Sequence, residues 1–110
     1  MATVVWTTRA KTMRRKLYIN GRMEFGVTTA NKTAAIIEDL ADDLSRWPTA
    51  GFPEPLLKGG QYLYRARHIN KRYKMIYRYD ETEDTVYIED IWDTRRSPEN
   101  LTRKIEKLKN

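Results

Sequence analysis

The sequence contains no cysteine, so it can form no disulfide, supply no thiolate nucleophile and hold no cysteine-bound zinc. Its single histidine, His68, likewise excludes a histidine-rich metal site, and neither a metal nor another cofactor is expected. No apolar run approaches the roughly 20 residues needed to cross a bilayer. The N-terminus also lacks the apolar core of a signal peptide, so no membrane partner and a cytoplasmic location are expected. Internal repeats and low-complexity segments are absent. Proline and glycine are scarce and concentrated: Pro48, Gly51, Pro53, Pro55, Gly59 and Gly60 fall close together and mark one long loop.

What the sequence does contain is charge. Over 110 residues, 40 % are hydrophobic and 33 % charged, a balance that suits one globular domain spanning residues 1–110. The net charge of +6 points to an acidic partner: nucleic acid, an acidic protein segment or an anionic surface. The charge is unevenly placed. Arg9 to Arg22 and Arg65 to Arg78 are basic, whereas Glu38 to Asp43 and Asp80 to Asp90 are acidic.

Local patterning gives the elements. Thr3 to Trp6 is a β-branched and aromatic run and predicts a strand. The threonines after it can cap a helix by accepting from an unpaired amide. Ala10, Met13 and Leu17 then recur at helical spacing, ringed by basic residues whose bland role is to keep the helix soluble. Asn20-Gly21 either ends this helix or lets it run to Phe25, with Gly26 as its C-cap. From Asn31 to Trp47 an apolar stripe of Ala34, Ile37, Leu40, Ala41, Leu44 and Trp47 predicts a second, core-facing helix. Pro48 stops it, because the residue before a proline is driven out of helical geometry. Leu56 and Leu57 are expected to tuck under the sheet.

Three strands follow in alternation: Tyr62 to Ile69, Arg72 to Tyr79, and Thr85 to Asp93. In the first, Tyr62, Tyr64, Ala66 and His68 share one face, and Leu63, Arg65 and Arg67 the other. In the second, Tyr73, Met75, Tyr77 and Tyr79 lie opposite Arg72, Lys74, Ile76 and Arg78. The third alternates Val86, Ile88, Asp90 and Trp92 with Tyr87, Glu89, Ile91 and Asp93. Ser97-Pro98-Glu99 has the form of a helix start, leading into Leu101, Ile105 and Leu108 on one face. The fold class is therefore α+β: an N-terminal strand, an αα-hairpin, a three-stranded antiparallel sheet joined by the first strand, and a C-terminal helix.

Between Arg65 and Arg78 lie six cations, Arg65, Arg67, Lys71, Arg72, Lys74 and Arg78, and no acid, with tyrosines interleaved. Arg65 and Arg67 project to one face, and Lys74 joins them if the neighbouring strand pairs in register. Three such cations can bind a phosphate and stabilise a developing oxyanion. Equally, they can form a solvated face or serve as partners for Glu89 and Asp93. His68 is a general-base candidate, since imidazole titrates near working pH, or else a silent histidine at a strand end. Alternation sets it on the opposite face from Arg67. Tyr73, Tyr77 and Tyr79 read as core, as do Trp6 and Trp92; Arg95-Arg96 is either a phosphate clamp or a structural turn.

This order of elements resembles the bacterial RelE/ParE-type toxins of type II toxin–antitoxin systems. Trp47-Pro48 followed by Gly51 is similar to that family's helix exit. Leu57-Lys58-Gly59 with Tyr64-Arg65-Ala66-Arg67-His68-Ile69 resembles a segment of its YafQ branch, and Tyr73-Lys74-Met75-Ile76-Tyr77 one of its strands. Asp93-Thr94-Arg95-Arg96 sits where the family carries its terminal basic turn. The resemblance spans Thr3 to about Leu101. It implies a toxin silenced by a cognate antitoxin, acting either as a metal-independent endoribonuclease on ribosome-bound mRNA or, as in the ParE branch, on DNA gyrase without chemistry.

By the same resemblance Arg65, Arg67, Lys74 and Arg96 would carry the phosphate chemistry, with His68 as base. Lys71, Arg72, Arg78 and Arg95 would bind substrate. The family's aromatic or histidine proton donor near the C-terminal end of the site has no counterpart, the nearest residues being Ser97 and Leu101. That departure raises the gyrase reading. A small basic RNA-binding module using the same sheet is the reading outside the toxins.

Overall fold

The computed structural model describes residues 1–95, so the expected C-terminal helix and Arg96 lie outside the described residues. Strand β1 covers Thr3–Trp6, helix α1 Thr8–Phe25 and helix α2 Val27–Arg46. They are followed by β2 (Phe52–Pro53), a 3₁₀ turn at Pro55–Leu57, β3 (Tyr64–His68), β4 (Tyr73–Asp80) and β5 (Thr85–Asp93).

Thr7 begins α1, its hydroxyl accepting from the Ala10 amide at 3.2 Å. The helix runs through Asn20-Gly21 to Phe25 and ends at Gly26, whose φ of +94° suits a residue without a β-carbon. The Gly26 amide donates to Arg22 O at 3.0 Å, and its carbonyl accepts from the Ala30 amide at 3.1 Å. One glycine therefore closes α1 and opens α2. For that reason α2 starts at Val27, four residues before the expected Asn31, despite the β-branched Val27-Thr28-Thr29.

At the other end α2 stops at Arg46, and Trp47 leaves helical geometry with φ −130° and ψ 70°. The residue is 66 % exposed, so the expected core tryptophan is a surface one. Ala30, Ile37, Ala41 and Leu44 are the residues of α2 that are buried.

The sheet order is β1-β5-β4-β3-β2, with β1 parallel to β5 and the other pairs antiparallel. Among the described residues the fold is thus α+β, with two helices and a five-stranded mixed sheet. The short β2, read as loop from its prolines, adds an edge by pairing Phe52 with Ala66 and Pro53 with Arg65.

The helices cover one face, where Met75, Tyr77, Val86, Ile88 and Ile91 pack with Ala10, Ile37, Ala41 and Leu44. The other, open face carries a smaller cluster of Leu57, Tyr64, Ala66, Ile76 and Trp92, with Leu57 tucked under as expected. Simple alternation along β5 fails at one point. Ile76 pairs with Asp90 but Tyr77 with Ile88, leaving Glu89 as an extra residue. This β-bulge shifts the side-chain phase. Ile91 therefore joins Val86 and Ile88 on the helix side, and Trp92 packs on the open side instead of beside them. Trp6 is half-buried with the Arg14 guanidinium 4.6 Å from its ring centroid, a more exposed setting than expected. Tyr73 and Tyr79 are likewise half-buried, packed against the rim of the helix-side core, while Tyr77 is fully buried.

Among the described residues no helix is long and apolar enough to cross a membrane.

Candidate functional site

The pairing of β3 with β4 decides which of the expected site residues meet. Arg65 lies opposite Tyr77 and Arg67 opposite Met75, whereas Lys74 lies opposite His68. Directly paired residues share a face. Lys74 therefore stands with His68 on the open face, and Arg65 and Arg67 stand on the helix face. The expected trio of Arg65, Arg67 and Lys74 does not form.

Each of these cations has a partner within the chain. Arg65 Nη1 donates to the carbonyl of Gly51 at 3.0 Å and to that of Thr49 at 3.4 Å. Arg67 pairs with Asp43 of α2 at 3.6 Å. Lys74 Nζ meets Glu54 Oε2 at 2.7 Å, and the Glu54 side chain is 0 % exposed. Arg78 lies between two tyrosine rings, 4.5 Å from Tyr62 and 4.2 Å from Tyr87, with Nε 3.3 Å from Glu89. Arg72 pairs with Asp93 at 3.2 Å. Of the two residues expected at the terminal turn, Arg95 also reaches Asp93, at 3.4 Å, and Arg96 lies outside the described residues. Lys71 is exposed and forms no ion pair among the described residues. His68 is exposed too, its ring 5.2 Å from that of Phe52.

The open face therefore holds a different group from the expected one: Glu54 against Lys74, with His68 the register partner of Lys74. Glu54 escaped the sequence reading because it sits between two prolines in a segment taken as loop. Its second role is local: the same carboxylate accepts from the Leu56 amide at 3.2 Å and starts the 3₁₀ turn. One signal was available in the sequence. It is the one acid between Asp43 and Asp80, in a stretch otherwise rich in cations. No group of three or more histidine, cysteine, aspartate or glutamate side chains that could hold a metal ion occurs among the described residues.

Asp93 organises the end of β5. Burial alone would raise its carboxyl; hydrogen bonds from the Arg95 backbone and side chain and from Arg72 outweigh it, and the carboxyl titrates below the usual range. A depressed carboxyl stabilises the fold above its unfolded value and loses that contribution as pH falls through the folded one. Acidifying below about pH 4 is expected to loosen the Lys71-Arg72 and Thr94-Arg95 segments first. Hydrogen exchange of the Thr94 amide, which donates to Arg72 O at 2.7 Å, measures this. An Asp93→Asn variant should show fast exchange there already at neutral pH and little further change on acidification.

The sequence model of the family described as "ParE toxin of type II toxin-antitoxin system, parDE" matches residues 4–98. No curated protein sequence matches the chain. Among solved structures, the chromosomal ParDE system from P. aeruginosa contains a similar chain, 17 % identical, with a TM-score of 0.67 over 84 % of this chain and 96 % of that one. The YoeB/ParE toxin from Agrobacterium tumefaciens is 24 % identical, with a TM-score of 0.57 over 83 % and 96 %. A chain of the toxin–antitoxin complex RelBE2 from Mycobacterium tuberculosis is 26 % identical, with a TM-score of 0.57 over 84 % and 96 %. The likenesses at lower identity bear on the fold alone.

Proposed function

The chain belongs to the ParE toxin family of type II toxin–antitoxin systems, and from that premise we propose that a cognate antitoxin holds it and that, once released, it arrests growth by cutting ribosome-bound mRNA. The antitoxin is supported by the two relatives described as complete toxin–antitoxin systems, ParDE and RelBE2.

The observation that carries the RNA-cutting reading is the open sheet face. A carboxylate, an ammonium and an imidazole gather there: Glu54 and Lys74 at 2.7 Å, with His68 opposite Lys74 in register. Attack of a ribose 2′-hydroxyl on its own phosphate needs a proton acceptor, a proton donor and a cation near the phosphorus. His68 is the exposed member of the group and is assigned as acceptor of the 2′-hydroxyl proton. Lys74 supplies the charge, and as the 2′-oxygen bonds to phosphorus the 5′-oxygen leaves and takes its proton from water. The neighbouring Arg78, on the same face of β4 as Lys74, is the candidate for holding the strand.

A second reading, binding of DNA gyrase without chemistry, is favoured by a different observation. Arg65, Arg67, Lys74 and Arg78 all have partners inside the chain, which suits a rigid docking surface better than a phosphate site.

Inducing the chain without its antitoxin, while following mRNA 5′ ends and plasmid supercoiling together, separates the two. Cleavage within translated codons is expected. Intact mRNA with gyrase-trapped DNA breaks would overturn the RNA-cutting reading and leave the second. His68→Ala sharpens the test, because the ring is exposed and its loss leaves the fold alone. A positioned proton acceptor contributes about 10²–10⁴ in rate, so cleavage should fall by that order while the melting curve stays in place. Undiminished cleavage would remove His68 from the chemistry.

A further inference from the structure

The cations of β3 and β4 are paired, and among the described residues helix α1 carries exposed cations that are not. Helix α1 carries Arg9, Lys11, Arg14, Arg15, Lys16 and Arg22 against one acid, Glu24, an excess of five in a chain of net charge +6. Arg9 is committed to Asp90 at 3.3 Å, and Arg14 is stacked on Trp6. Lys11, Arg15, Lys16 and Arg22 are exposed and have no ion pair among the described residues.

This arrangement works against the helix that bears it. Lys11 repels Arg14 and Arg15 at three and four residues' distance, where like charges destabilise a helix. The first turn holds no acid, so beyond the neutral Thr7 cap no charge of the helix itself complements the positive end of its dipole. A helix that needed its surface only for solubility would be better served by mixed charge.

Part of this charge also faces a concavity. Lys11, Arg14 and Arg15 line a groove of about 1130 Å³ between the helices and the β3–β4 link, and Lys71 and Arg72 line it from the link, five cations against the one acid of the lining, Glu24. Its wall includes three aromatic rings, Tyr18, Phe25 and Tyr73, beside an aliphatic floor containing Leu17 and Ile37. Phe25 is well exposed; Tyr18 and Tyr73 are half-exposed. The groove lies on the helix side of the sheet, away from Glu54, Lys74 and His68 on the open face.

We propose that this groove binds a single-stranded nucleic-acid segment, phosphates along Lys11, Arg15 and Lys71 and bases against Tyr18, Phe25 and Tyr73. A cationic groove with aromatic platforms is the combination that holds single strands without reading their sequence. A duplex would meet the cations but leave the apolar floor uncovered, since its bases are stacked inside. An acidic protein helix would also meet rim and floor, but three aromatic rings beside the cations are better matched by a strand that offers a planar base beside every phosphate. The inference does not depend on the toxin reading, because binding is measured directly on the purified chain.

The test is fluorescence anisotropy with labelled oligouridylate and oligothymidylate of about 12 nucleotides, within the range such sites cover, over a salt series. Lys11→Gln with Arg15→Gln should weaken binding on the order of ten-fold at low salt and flatten the log–log salt slope by about 1.4, two phosphate contacts for a single strand. Tyr18→Ala should cost about ten-fold through lost stacking, and Tyr18→Phe should restore it, because the ring and not the hydroxyl is required. Lys58→Gln, exposed but outside the groove, is the control. Equal binding of the two oligomers assigns recognition to phosphate and base, and preference for oligouridylate adds the ribose. Three results would overturn the proposal: no binding at low salt, losses equal to those of Lys58→Gln, or capture of an acidic helical peptide by the groove with no binding of either strand. Melting curves of the glutamine variants should not fall, since each removes a repulsion, so a binding loss cannot be assigned to unfolding.

Discussion

Replacing Lys74 by methionine is expected to destabilise the protein by roughly 3–5 kcal/mol, the usual cost of stranding one partner of a buried ion pair. Glu54 is 2 % exposed and Lys74 9 %, and they meet at 2.7 Å. Without the ammonium, a carboxylate sealed beneath the 3₁₀ turn must either stay charged in an apolar setting or take up a proton. Since domains of this size have about 5–15 kcal/mol of stability in total, urea unfolding should show a large drop in midpoint. Removing both charges, as Lys74→Met with Glu54→Leu, should recover most of the loss, because a buried pair is often no more stable than a well-packed apolar one. The comparison also bears on function. If Lys74→Met leaves the midpoint unchanged, the pair does not hold the loop, and the ammonium is free to act as a phosphate ligand. If the double variant is stable yet non-toxic, chemistry and stability separate, and the open-face reading gains its strongest support.

The basic stretch from Arg65 to Arg78 shows where sequence reasoning reached and where it stopped. The strands were legible because alternation is local: β5 falls on Thr85–Asp93 as expected, and β4 is shifted by only one residue. The face assignments within β3 and β4 also follow from alternation alone. What alternation cannot supply is register, and register placed Lys74 opposite His68 instead of beside Arg67. Nor does it foresee an extra residue. The bulge at Glu89 sends Trp92 to the open face, and no local signal in Ile88-Glu89-Asp90-Ile91 announces it.

The larger miss concerns charge. A run of cations without acids looks free in sequence. Glu89 and Asp93 of β5 were foreseen as possible partners and do pair, with Arg78 and Arg72, but Asp43 from α2 and Glu54 from the loop were not foreseen. Helix α1 is the reverse case. Its cations seemed to serve only solubility, yet Lys11, Arg15, Lys16 and Arg22 are exposed without an ion pair among the described residues.

Two of the sheet's cations, Lys74 through Glu54 and Arg65 through the carbonyls of Thr49 and Gly51, fix the loop from Thr49 to Leu57 against the sheet. Gly51 is the point of closest approach. A β-carbon there would lie 2.7 Å from the Ala66 carbonyl oxygen, 2.7 Å from the Tyr77 hydroxyl and 2.8 Å from Tyr77 Cε1. None of these can yield easily, since the first is strand backbone and Tyr77 is fully buried. Gly51→Ala should therefore push the loop outward. Two contacts would go with it: the Gly51 amide donating to Tyr77 Oη at 2.8 Å and Arg65 donating to Gly51 O at 3.0 Å. Overpacking of this kind costs about 1–3 kcal/mol, and each lost hydrogen bond adds about 1 kcal/mol. Thermal unfolding is expected to show a loss on the order of 3 kcal/mol from those terms together. Tyr77→Phe removes only the hydroxyl and leaves the amide without a partner, so its loss should be smaller, about 1–3 kcal/mol. The two changes act on one contact, and combining them should cost less than their sum, as coupled neighbours do. Full additivity would mean that Gly51 and Tyr77 do not share a constraint, and the close approach would then have no part in holding the loop. If the coupling is found, the same strain should disturb β2, whose Phe52 pairs with Ala66 and stacks on His68. Gly51→Ala would then weaken toxicity at temperatures where the chain is still folded, through the position of the one imidazole the sequence contains.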